Sequence, residues 1–196
     1  MSHENLFTSF ARHITLTPAE QQKIAQAFRL KKLKKKQLVL SEGDVCRFEI
    51  FVSKGMLRAY TVDSKGDEHV AMFAMEGWWT SDLYSFLTET PATQNIEALE
   101  DAELFLIEKT ELEKLYEEVP KLERFFRILL QNAFVANQQR IMATISQTAE
   151  ERYLNFINKY PTIEQRAPQH QIASYLGLTA ETISRIRRQR MDQNKK

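Results

Sequence analysis

Residues 168–190 read Pro168-Gln169-His170-Gln171-Ile172-Ala173-Ser174-Tyr175-Leu176-Gly177-Leu178-Thr179-Ala180-Glu181-Thr182-Ile183-Ser184-Arg185-Ile186-Arg187-Arg188-Gln189-Arg190. Proline at the start and Gly177 nine residues later bracket a short helix, because proline suits the first turn and glycine the left-handed exit. Thr179 can then cap a second helix that begins near Ala180. Helices joined by so tight a turn must cross steeply. Ala173 is small where they approach, Gly177 permits the turn, and Ile172, Leu176, Ile183 and Ile186 fill a shared core. This is the sequence logic of a helix-turn-helix.

A rotation of about 100° per residue divides the second helix into faces. Ile183 and Ile186 point one way, and Glu181, Ser184, Arg185 and Arg188 cluster opposite. Such a helix docks by its apolar side and offers donors and acceptors to a major groove. Arg185 or Arg188 suits guanine O6/N7, and Glu181 suits a cytosine amine. Thr179, Ala180, Thr182, Arg187 and Arg190, with Gln169 and His170 of the first helix, stand where phosphate contacts are expected. The plain alternative is a helical hairpin with a charged outer face. The spacing small-x3-Gly-x5-Ile-x2-Ile, joined to a basic outer face, favours double-stranded DNA as the partner.

Charge distribution agrees. Residues 148–196 carry nine Lys/Arg against five Asp/Glu, while residues 1–147 carry eighteen against twenty-one, so a net charge of +1 hides a basic end on an acidic body. Upstream, Thr148-Ala149-Glu150-Glu151 has the spacing of a capping box and marks a domain boundary. Before it, nothing breaks a helical pattern from Pro120 to about Gln147, a span of about 40 Å at 1.5 Å per residue. Leu122, Phe126, Leu129, Ala133 and Ala136 step as a heptad seam, and Leu130, Phe134, Ile141 and Ile145 form a second apolar side. A helix with two apolar faces can pack on its own domain with one and on a second copy with the other. The seam is the expected dimer contact.

Between residues 37 and 108 the texture is that of short strands. Gly43, Gly55, Gly66 and Gly77 recur at intervals of 12, 11 and 11 residues, with β-favouring runs at 48–52, 56–62 and 70–74. Turn signals at that interval predict an antiparallel barrel or sandwich. Asp63-Ser64-Lys65-Gly66-Asp67 reads as a hairpin turn and Ser81–Leu87 as a helical interruption. Residues 15–36 read as a helix, capped by Thr17-Pro18, that runs into the basic stretch 29–36. That stretch is either a polyanion patch or solvated surface, and the lack of interleaved aromatics favours the second.

Composition narrows the class further. With 43% hydrophobic and 27% charged residues the chain is globular. Its longest apolar run, Val70–Met75, is far short of the roughly 20 residues of a membrane span. No secretion signal opens the chain, so a cytoplasmic location and no membrane partner are expected. One cysteine, Cys46, excludes an intrachain disulfide or a Cys-rich metal cage. Of four histidines only His69 lies among the strands, so neither a metal centre nor an enzyme is expected. Trp78 and Trp79 are expected in the core or at its rim.

The stretch Gln171–Ile186, with its Glu-Thr-Ile-Ser-Arg segment at 181–185, is similar to the helix-turn-helix of the bacterial Crp/Fnr superfamily of transcription regulators. Phe51-Val52-Ser53-Lys54-Gly55-Met56-Leu57-Arg58-Ala59-Tyr60 resembles that family's β-roll. The resemblance implies an α+β chain. It would comprise a cyclic-nucleotide-binding-like double-stranded β-roll (a jelly roll) with an N-terminal helix at 1–109, a long dimerisation helix at 110–147, and a winged helix-turn-helix at 148–196. It implies a homodimer on a palindromic operator, and RNA polymerase as a further partner. The alternative is a ligand-sensing roll that signals without DNA. Three departures stand out. Where cyclic-nucleotide-binding members have Gly-Glu-Leu and later a phosphate-neutralising arginine, this chain has Ser81-Asp82-Leu83 and Pro91-Ala92-Thr93-Gln94, with no arginine from 59 to 123. If Ser81, Asp82, Leu83 and Thr93 line an effector pocket, cyclic AMP is not its tight ligand, and no cofactor is expected. The four-cysteine oxygen-sensing arrangement of other members is also missing. Finally, about six residues follow Arg190, so wing strands are expected from 162–167 instead.

Overall fold

A computed structural model describes residues 3–193. Eight strands form two four-stranded antiparallel sheets: β1 (Arg29–Leu33), β2 (Leu38–Leu40), β3 (Phe48–Lys54), β4 (Leu57–Val62), β5 (Glu68–Ala74), β6 (Trp79–Thr80), β7 (Asn95–Ala98) and β8 (Ala102–Glu108). Their orders are β1-β8-β3-β6 and β2-β7-β4-β5, so each sheet mixes early and late strands as a roll requires. The turn between β3 and β4 depends on Gly55: φ is +88°, and a Cβ there would lie 2.7 Å from the Asp101 carbonyl oxygen.

The roll is filled by alternating inward side chains and by helices. α1 (Glu4–Ala11) buries Leu6 and Phe10, and α2 (Pro18–Ala27) buries Ile24. α2 begins with the expected Thr17 cap, completed by Glu20 as a capping box. Trp79 stands amid Phe10, Phe28, Phe51, Phe125 and Phe126 at ring separations of 5.1–6.0 Å, and its indole N–H donates to Ser9. It is a core residue. α3 (Leu83–Thr88) interrupts the strands, and α4 (Lys109–Glu118) leads into α5 (Lys121–Ser146). The head follows as α6 (Ala149–Lys159), α7 (Pro161–Arg166), α8 (Gln169–Leu176) and α9 (Ala180–Gln193).

The mixed α+β architecture, roll then long helix then helix-turn-helix, is the expected one, with three corrections. Residues 29–33 are an edge strand, not the end of a helix: Arg29 pairs with Glu108, Lys32 with Glu103 at 2.8 Å, and Lys34 just beyond it with Asp101 at 2.7 Å. Three of the six cations of the basic run are thus answered by β8 and the turn before it, partners some 70 residues away. On α5, Leu122 and Phe126 are buried in the roll and Leu129 packs partly against it, leaving only Ala133 and Ala136 of the expected seam exposed. The second apolar side is the free one: Phe134, Ile141 and Ile145 are 64%, 58% and 73% exposed. The wing strands expected at 162–167 are not found: among the described residues no strand follows β8, and residues 161–166 are helical. Pro161 favours the first helical turn and Ile163 is buried in the head core, which commits this short segment to α7.

Candidate nucleic-acid interface

Local chemistry builds the helical pair as the spacing predicts. Gly177 leaves α8 at φ +64°, its N–H bonded to Ser174 O, while Leu178 N–H reaches Ala173 O at 2.9 Å. Arg152 of α6 donates to the Leu176 carbonyl at 2.8 Å, placing a cation at the C-terminal end of α8. Thr179 Oγ1 accepts from Thr182 N–H at 3.2 Å and so caps α9. Ile172, Ala173, Leu176, Ile183 and Ile186 are buried together with Tyr153 and Phe156 of α6 and Ile163 of α7.

The outer side of α9 is free. Glu181, Ser184, Arg185, Arg187 and Arg188 are exposed, Thr182 is half-buried beside Thr179, and Ala180 is half-buried at the helix start. Glu181 is held below the ordinary carboxylate range by its own backbone N–H and by Thr179, so it is an acceptor at neutral pH. His170 is exposed at the start of α8. Gln169 has a different task. Its amide nitrogen donates to Ala180 O at 2.9 Å and Ser184 Oγ at 2.7 Å, so it ties α8 to α9 instead of reaching outward. Arg187 leans toward Gln169 and Glu164, at 3.4 and 3.6 Å. An open cleft lined by Thr148, Ala149, Glu150, Arg185, Ile186 and Gln189 sets the first turn of α6 beside the arginine face.

No local pattern points to the groups that hold this head. Arg152, Arg140, Arg166 and Ser174 all bond to backbone or carboxylates far away in the chain, and only three-dimensional pairing reveals them.

The expected effector region is built for internal bonding. Asp82 is almost wholly buried and accepts from Ser85 N–H at 3.0 Å, Thr93 N–H at 2.9 Å and Thr93 Oγ1 at 3.4 Å. Asp82 stands where the resemblance has a glutamate, while residues 91–94, where it called for a cation, supply only Thr93 as a donor to Asp82. Ser81 donates to Glu49 at 3.2 Å, and Leu83 opens α3 half-exposed. The buried arginine of the roll, Arg58, is spent on Glu68 and Glu97 and stacks over Tyr60. Among the described residues no group of His, Cys, Asp and Glu is arranged to hold a metal ion, and no helix is long and apolar enough to cross a membrane.

Comparison with known proteins agrees with this arrangement. Residues 30–119 match the cyclic nucleotide-binding domain family. The chain is 30% identical over 186 residues to the fumarate and nitrate reduction regulatory protein of Vibrio cholerae, covering 88% of this chain and 73% of that one. It is 29% identical over 171 residues to the anaerobic regulatory protein of Haemophilus influenzae, covering 81% of this chain and 65% of that relative. The fold superposes on FixK2 from Bradyrhizobium japonicum with a TM-score of 0.74 at 20% identity, over 85% of this chain and 86% of that one.

Proposed function

Because this chain belongs to the Crp/Fnr superfamily of transcription regulators, and not to a family of enzymes, we propose that it acts as a homodimer whose paired α9 helices read a palindromic DNA site. One observation carries the reading: α9 buries Ile183 and Ile186 and turns Glu181, Ser184, Arg185 and Arg188 to solvent. Arg185 and Arg188 read guanine edges and Glu181 a cytosine amine. Thr179, Thr182, Arg187 and His170, with the first turn of α6, hold phosphates, and Gln169 orients α9. The partner copy covers the exposed side of α5. With a two-fold axis between protomers, half-sites lie about one helical turn apart. RNA polymerase, as the further partner, rests on the family alone.

Neither of the expected family effectors fits the residues present. A cyclic phosphate brought to Asp82 would meet a buried carboxylate with no arginine to offset it. A single cysteine, buried Cys46, cannot form a four-thiolate cage. Titration calorimetry with cyclic AMP should therefore give no heat at micromolar concentrations, and micromolar binding would overturn that part. The DNA reading is tested by selecting duplexes from a random pool with the purified protein. A two-fold symmetric consensus is expected, and enrichment of no sequence would refute it.

A further inference from the structure

The head is fastened to the roll of its own chain. β5 is an edge strand, and Ser174 of α8 answers its outward backbone groups: Val70 N–H donates to the hydroxyl at 2.9 Å, and the hydroxyl donates to Glu68 O at 3.1 Å. Arg140 of α5 donates to Ala71 O at 2.8 Å and lies 5.0 Å from the Tyr175 ring centre. Phe73 meets Tyr175, and Trp78 meets Tyr160 at 5.6 Å. At the far end of this contact Arg166 of α7 grips two roll carboxylates. It donates to both oxygens of Glu76 at 2.8 and 2.9 Å and to Glu100.

The roll itself also holds the gripped carboxylate. Glu76 also accepts from the Gly55 N–H at 2.8 Å, in the turn that only glycine can make. Burial works against its charge, but the bonds from Arg166 and the backbone outweigh it and hold the carboxyl below its usual range. Nothing in this contact covers Arg185 or Arg188, which stay exposed while the head is docked. The fastened state is therefore open to a duplex.

We propose that Arg166, held between Glu76 and Glu100, is a positioning residue for DNA binding. It fixes the head on its own roll and so sets the distance between the two recognition helices of the dimer. The DNA part rests on the function proposed above. Fixing the heads in advance lowers the ordering cost of binding both half-sites at once.

The test uses the full chain and two readouts. Trp78 reports docking, and Trp79→Phe makes it the only emitter; if that variant does not fold, buried Trp79 serves as a constant background. Arg166→Gln should shift Trp78 emission to the red. It should also weaken binding to the duplex selected by the wild-type protein by about three- to tenfold. Arg166→Lys, which keeps a cation between Glu76 and Glu100, should recover part of both. Unchanged emission would overturn the latch, and shifted emission with unchanged affinity would overturn the positioning role. If the wild-type protein selects no duplex, the DNA reading and the positioning role fall together, and emission still decides whether the head is latched.

Discussion

The two halves of α5 have similar composition and opposite fates. Its first turns send Leu122, Phe125 and Phe126 into the roll, where the two phenylalanines close the aromatic cluster around Trp79. Its later turns carry Phe134, Val135, Ile141, Met142 and Ile145 in the open. An isolated surface hydrophobe needs no explanation, but a continuous apolar face on one long helix does. The lesson is that periodicity identifies an apolar face and cannot say which neighbour covers it. One half serves stability within the protomer, and the other is free for the assembly proposed above.

The contrast can be broken most forcefully at its buried end. Phe125→Ala should destabilise the protomer by about 3–5 kcal/mol, since a large ring leaves an aromatic cavity that cannot collapse; urea unfolding measures it. Its counterpart Phe134→Glu should leave unfolding of the protomer nearly unchanged yet raise the dimer dissociation constant at least about a hundredfold, because a charge would then be buried at the pair interface. Sedimentation equilibrium distinguishes the two, and a fully dimeric Phe134→Glu protein would end the division of labour.

Acidity should sharpen the same contrast. Burial pushes the Glu49 carboxyl up to about 7, against a weaker pull from the Ser81 hydroxyl. A carboxyl with a folded value above its unfolded 4.5 favours the folded state in full below 4.5, and that contribution is lost as pH rises through about 7. Glu49 adds to the burial that raises Tyr116, which packs on Phe126, so the penalty falls on the buried half of the assembly. Glu49→Gln should stabilise the protomer at pH 8 by on the order of 2 kcal/mol and change little at pH 5, with dimerisation untouched. Smallest of all, Thr148→Ala removes the capping box that separates α5 from the head. It should cost about 1 kcal/mol, read as a lower melting temperature.

Legibility followed the range of the forces. The pair α8–α9 was readable because proline, glycine, a capping threonine and four apolar positions all fall within the nineteen residues from Pro168 to Ile186. The strands β3, β4 and β5 were readable from β-favouring runs between regularly spaced glycines. β1 was not, since Arg29-Leu30-Lys31-Lys32-Leu33 becomes a strand by pairing with Ala102–Leu106, where Glu103 answers Lys32 and neighbouring Glu108 answers Arg29. α1 went unread for a similar reason: Leu6 and Phe10 are apolar at helical spacing, but only the aromatic cluster makes them core. The helix at 161–166, where wing strands were expected, belongs here too, because burial of Ile163 in the head decides its fate. Gln169 looked like a phosphate ligand in sequence, and its bonds to Ala180 and Ser184 give it a structural task that no local pattern reveals.

The central claim is that the outer side of α9 reads bases, and Arg185 tests it most directly. With a selected duplex in hand, wild-type and Arg185→Ala proteins are titrated against every single-base-pair variant of one half-site. The account predicts that Arg185→Ala loses discrimination at a single base pair, worth about 1–3 kcal/mol, and keeps it at the others. Equal weakening on all variants, or no change on any, would contradict it.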